Sequence, residues 1–250
     1  MAEKAPLALI HAALGKAGAW RGFLDALGPD VSPLLIELPG HGLAEDWEES
    51  RDFADQALEL ALEELPTDPV PIIGHSFGAV LALRLAIERP YRVSSLVLVE
   101  PVFFAAAEGR WGYDKAMRDM EPFYKKLSAA QIATAVREFH AIWGDGRDWG
   151  DLPTETRAYI MNRIKLIPAG DTLLMEDKPG LLRPGRLEAL EMPVTFVDGG
   201  ASHPVIADII SELGDRIPDA EWVTVPDAGH MVPVTHPSMV AKAVEDRLFV

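Results

Sequence analysis

The stretch from Val70 to Ile87 constrains the fold more than any other part of the chain. Val70-Pro71-Ile72-Ile73 is a short apolar run, Gly74-His75-Ser76-Phe77-Gly78 follows it, and Ala79 to Ile87 reads as a helix. The order is strand, tight turn, helix, with a serine at the turn, and it fits the pattern G-x-S-x-G. A serine on so sharp a bend holds strained backbone angles. The positions two before and two after it pass close to neighbouring backbone, where only glycine fits. The helix that follows points its N-terminus at the serine, so amide groups and the helix dipole face any negative charge formed there.

The rest of the chain supplies a sheet around this turn. Leu7 to Ile10, Ser32 to Leu38, Val93 to Val99, Pro193 to Val197 and Trp222 to Val225 read as short strands, most of them apolar throughout. Helical patterns separate them at Trp20 to Leu27, Phe53 to Leu65, Val205 to Leu213 and Pro237 to Leu248. Continuously apolar strands alternating with helices predict a mostly parallel sheet covered on both faces, an α/β fold. Between residues 102 and 190 the strand pattern disappears. Tyr113 to Leu127, Ala129 to Trp143 and Thr154 to Ile167 carry helical periodicity there, so this segment is expected to be a helical insertion.

Composition narrows the function classes. The 250 residues suffice for one full core with a subdomain. There is no cysteine, which excludes disulfides, a cysteine nucleophile and thiolate metal sites. The formal net charge of −16 repels nucleic acid and anionic membrane, so neither is an expected partner. No apolar run approaches the roughly 18 residues of a membrane span, and the first residues lack a signal-peptide pattern, so a cytoplasmic location is expected. No G-x-G-x-x-G follows the first strand, no P-loop is present and no metal-ligand cluster is visible; cofactor and metal are both expected to be absent. The oligomeric state is left open.

Four segments, in order, carry a resemblance. They are Ile10-His11-Ala12-Ala13, Leu38-Pro39-Gly40-His41-Gly42, Gly74-His75-Ser76-Phe77-Gly78 and Asp227-Ala228-Gly229-His230-Met231. Together they resemble the oxyanion loop, the loop after the next strand, the nucleophile elbow and the histidine loop of the α/β-hydrolase superfamily. Ala12 stands where the family usually has glycine. The resemblance runs over the whole chain apart from the insertion, which corresponds to the family's variable cap. It implies a hydrolase core at residues 1–101 and 191–250 and a helical cap at 102–190.

The resemblance also implies roles. A serine hydroxyl needs a base in hydrogen-bond reach, and the base needs a partner that fixes its tautomer. Ser76 is the candidate nucleophile and His230 the candidate base. In most of the family the acid follows the strand after the cap, but Ser202 or His203 stands in that place here. Some members carry it at the end of the strand after the elbow helix, which is Glu100 in this chain. Glu100 is therefore the first candidate acid and Asp198 the alternative. The amides of Ala13 and Phe77 are the expected oxyanion donors. His11, Trp111, Tyr113, Trp143 and Met231 are candidates for lining a substrate pocket, because they lie near motif residues.

These expectations point to a serine hydrolase cleaving a small carboxylic ester or lactone through an acyl-enzyme. The same residues would also suit a cofactor-free haloperoxidase or a carbon–carbon bond hydrolase. A non-catalytic ligand receptor on this fold is the remaining alternative.

Overall fold

The computed structural model describes residues 4–249. Six strands form one sheet: β1 (Ala5–Ile10), β2 (Val31–Ile36), β3 (Val70–His75), β4 (Val93–Val99), β5 (Val194–Gly199) and β6 (Ala220–Val225). Their spatial order is β2-β1-β3-β4-β5-β6, and every neighbouring pair is parallel. Each strand feeds a helix or helical segment: α1 (Arg21–Leu27), α2 (Phe53–Glu64), α3 (Phe77–Glu88), α9 (Val205–Arg216), the single turn α10 (Val232–Thr235) and α11 (Pro237–Leu248) complete the α/β layers.

Strand parity splits the core into two apolar layers. Ile73, Val97 and Val99 face Trp20 at the start of α1 and Phe23 within it, and Val240, Val244 and Leu248 of α11. Ile72, Leu96 and Leu98 face the other way, against residues of α2, α3 and α9. Successive strand residues alternate in direction, and both directions are apolar because both faces are covered. Helix α2 starts where the Asp52 carboxylate accepts hydrogen bonds from the amides of Ala54 and Asp55.

The segment between β4 and β5 is helical, as the loss of strand pattern predicts. It contains α4 (Trp111–Ser128), α5 (Ile132–Trp143), α6 (Thr154–Arg163) and two single turns, α7 (Leu166–Ala169) and α8 (Asp171–Leu174). Its buried residues Phe123, Val136 and Trp143 join the same apolar layer as the sheet residue Ile72. Tyr159 of α6 ties the segment to the loops after β1 and β2. Its hydroxyl donates to the Gly15 carbonyl (2.7 Å) and accepts from the Gly42 amide (3.0 Å). The Arg163 guanidinium lies over the Tyr159 ring at 3.8 Å and donates to the Gly40 carbonyl.

The strand order places β1 beside β3, although β2 lies between them in sequence. Chain direction across the sheet reverses at this point, and the crevice outside the carboxyl ends of β1 and β3 is where ligands bind in open parallel sheets. The loop after β1 and the turn after β3 meet there.

Candidate active site

The turn after β3 is as tight as its glycines suggest. Ser76 has φ 57° and ψ −118°, a conformation an L-residue rarely adopts. A Cβ on Gly74 would sit 2.2 Å from the Gly78 carbonyl oxygen, and one on Gly78 would sit 2.5 Å from the Ile10 carbonyl oxygen. The two glycines thus let α3 fold back against β3 and press against the end of β1. The Ser76 amide is held by the Val99 carbonyl at 2.9 Å.

Three side chains from distant parts of the chain meet at this turn. The Ser76 hydroxyl donates to His230 Nε2 at 3.0 Å, and His230 Nδ1–H donates to Glu100 Oε2 at 2.9 Å. All three are buried, Glu100 completely. The other Glu100 oxygen accepts from the Gly199 amide (2.7 Å) and the Ser202 hydroxyl (2.6 Å). Three donors therefore satisfy a carboxylate that burial alone would make costly. Glu100 also has a positive φ of 51°, which turns its side chain at the end of β4.

His230 is fixed from two further sides. His75 Nε2–H donates to the His230 carbonyl at 2.9 Å, and the Trp143 ring packs edge-on against the imidazole with centroids 4.9 Å apart. Burial holds the His75 imidazole down at a pKa of about 3, with the neighbouring His230 adding to the effect, so it stays neutral as a donor.

Ser76 and His230 open onto a cavity of about 630 Å³, its mouth included. Ala13 and Phe77 line it too, and among the described residues neither of their amides has an acceptor. Most of the wall is apolar, with Val102, Phe104, Met120, Phe139, Leu174 and Met175 among its members. Trp143 and Met231 are part of this wall. Among the described residues no group of three or more His, Asp or Glu side chains is placed to hold a metal ion.

Four expectations need correction. Asp198 does not reach His230; its carboxylate accepts from Trp222 Nε1 at 2.9 Å on the neighbouring strand, and burial raises its pKa. His11 is buried but does not line the cavity, because its Nδ1–H donates to the Ala12 carbonyl and its Nε2 accepts from the Leu38 amide. Trp111 is 65% exposed. The first turn of α4 docks on α9 through Gly112, whose amide donates to Asp208 Oδ2 at 2.8 Å, and this leaves Trp111 facing solvent. Tyr113 packs half-buried against the apolar layer rather than into the cavity. Closeness to a motif in sequence does not set the direction of a side chain on a helix.

Other site residues gave no sequence signal. Ser202 stands where the family's acid was expected and instead donates to Glu100. Tyr124 and Asp171 both line the cavity, and the Tyr124 hydroxyl lies 3.1 and 3.2 Å from the two Asp171 oxygens. Helical spacing could have put Tyr124 on the inner face of α4; nothing local marks Asp171.

A sequence model described as the alpha/beta hydrolase family matches residues 7–243. The chain is similar to the pimeloyl-[acyl-carrier protein] methyl ester esterase of Nitrosomonas europaea, with 34% identity over 230 residues, 90% of this chain and 88% of the relative. Among solved structures it is similar to NosK from Streptomyces actuosus, at TM-score 0.67 and 27% identity, covering 98% of this chain and 97% of that one. A hydrolase from Pseudomonas aeruginosa PA01 superposes at TM-score 0.73 with 23% identity, covering 100% of this chain and 92% of the other. The chain belongs to the alpha/beta hydrolase family.

Proposed function

We infer that the protein is a serine hydrolase that cleaves a small carboxylic ester or lactone through an acyl-enzyme. The observation that carries this is the unbroken line from Ser76 Oγ to His230 Nε2 (3.0 Å) and from His230 Nδ1 to Glu100 Oε2 (2.9 Å), at an apolar cavity. In this reading the three form a catalytic triad. His230 takes the Ser76 proton as the hydroxyl attacks the substrate carbonyl, and Glu100 stabilises the imidazolium and holds its tautomer. The tetrahedral oxyanion rests on the Ala13 amide in the loop after β1 and the Phe77 amide at the N-terminal end of α3, each worth about 3 kcal/mol in the transition state. His230 then protonates the leaving alcohol. Water, deprotonated by His230, attacks the acyl-enzyme and releases the acid.

Residues 102–190 act as a cap over Ser76, with Trp143 shaping the cavity beside His230, and residues 1–101 and 191–250 form the catalytic core. The similarity to a methyl ester esterase supports a small leaving alcohol. Ser76→Ala is expected to lower hydrolysis of p-nitrophenyl acetate by roughly 10⁴-fold or more and to abolish labelling by a fluorophosphonate. Full activity of that variant would refute the mechanism.

A further inference from the structure

The cavity wall holds two ionisable side chains besides His230: Tyr124 on α4 and Asp171 at the head of α8. The Tyr124 hydroxyl, at 3.1 and 3.2 Å from the two oxygens, is the one hydrogen-bond partner of the Asp171 carboxylate among the described residues. No cationic side chain among them stands within ion-pair distance. A carboxylate has room for about four donors. Asp171 has one, in a cavity whose wall also includes the apolar side chains of Met120, Phe139, Leu174 and Met175. Burial pushes its carboxyl up to about 6. The same cause, followed by the Asp171 charge, pushes the Tyr124 phenol up, so it remains a donor.

An acceptor this under-supplied is a poor element of a purely apolar acyl pocket. A plain alkyl chain filling the cavity would displace water from the carboxylate and give nothing back, and closing a carboxylate off from water with a single donor is costly. A donor on the chain would repay that cost. We propose that Asp171 is a recognition group, and that the cavity takes acyl chains bearing a hydrogen-bond donor, a hydroxyl or an ammonium, away from the ester carbonyl. Tyr124 is the positioning residue that orients the carboxylate from α4. This rests on the ester-hydrolase reading and adds the substrate class to it. The bland role for the pair, a brace between α4 and α8, predicts an effect on stability and none on selectivity.

The test has a binding arm and a turnover arm. Methyl esters of alkanoic acids with four to eight carbons are compared with their ω-hydroxy and ω-ammonio counterparts. In the binding arm, calorimetry on Ser76→Ala is expected to show at least one donor-bearing ester binding about 10-fold tighter than its plain counterpart of equal length. Adding Asp171→Leu should erase the difference, and adding Tyr124→Phe should shrink it by about 3-fold, because the carboxylate then loses the hydroxyl that orients it. In the turnover arm, the wild-type protein is expected to show the same preference in kcat/KM. Asp171→Leu should lose that preference, the ratio of kcat/KM for donor-bearing over plain esters falling to about 1. The hydroxyl and ammonium series separate a neutral donor from a cation. Absence of any donor preference in binding across the series overturns the proposal. So does a preference that survives Asp171→Leu. Tight donor-selective binding without turnover in the wild-type protein would support the recognition group and remove the esterase reading instead.

Discussion

Glu100 is the residue at which the most constraints coincide. It is fully buried, its backbone is left-handed, and three donors converge on its carboxylate. Glu100→Gln is expected to lower kcat by about 10³- to 10⁴-fold, because the amide cannot hold the required histidine tautomer. Asp198→Asn, whose parent carboxylate bonds to Trp222, should leave kcat within about 3-fold. Comparable losses in the two variants would overturn the assignment of the acid. Ser202→Ala removes one charge-assisted bond from Glu100 and is expected to lower kcat about 10-fold with little change in KM. The place of Glu100 beside the site was legible, since a carboxylate ending an apolar strand lies at the carboxyl edge of a parallel sheet. The donors around it were not, because Gly199 and Ser202 reach it only through the pairing of β4 with β5.

At the scale of elements, the β3–α3 turn is the joint that cannot be loosened. A methyl group on residue 78 would overlap the carbonyl oxygens of Ile10 and His11, and backbone cannot rotate out of the way as a side chain can. Gly78→Ala is therefore expected to cost about 3 kcal/mol, read as a fall of several degrees in Tm by calorimetry. An unchanged Tm would show that α3 is free to slide. The elements themselves were readable from hydrophobic period: β4 and α11 have the expected bounds, and the helical run after β4 is there. Which faces of α4 and α5 turn inward was less readable. Both helices carry aromatic residues at several angles, and the docking of α4 on α9 turns Trp111 away while Phe139 and Trp143 of α5 meet the cavity.

Two of the buried histidines, His41 and His75, have strongly depressed pKa values, and at the scale of the whole molecule this shapes the response to acid. Burial brings His41 down to about 4, with the nearby His11 ring adding to it, and brings His75 to about 3. A histidine whose folded pKa is depressed contributes stability that is complete above the unfolded value of about 6.5. That contribution is lost as pH falls below it, because the unfolded chain binds protons the folded chain refuses. Asp171, raised to about 6, and Asp198, also raised by burial, act in the opposite sense, against the depressed His41, His75 and His203. The urea midpoint is expected to be lower at pH 5 than at pH 7.5; an equal or higher midpoint at pH 5 would contradict this account. The parallel architecture was legible in the continuously apolar strands, whereas the burial of His41 and His75 follows from how loops pack at the sheet's end, which no local pattern encodes.

The bond between Ser76 and His230 spans 154 positions of sequence, and the strands that bring its ends together are all parallel. Local helix formation proceeds without it, but closing so long a circuit must wait for most of the sheet. During renaturation from urea, ellipticity at 222 nm should therefore recover ahead of reactivity towards a fluorophosphonate, and a nascent chain still lacking its final β-strand would be well structured yet chemically silent.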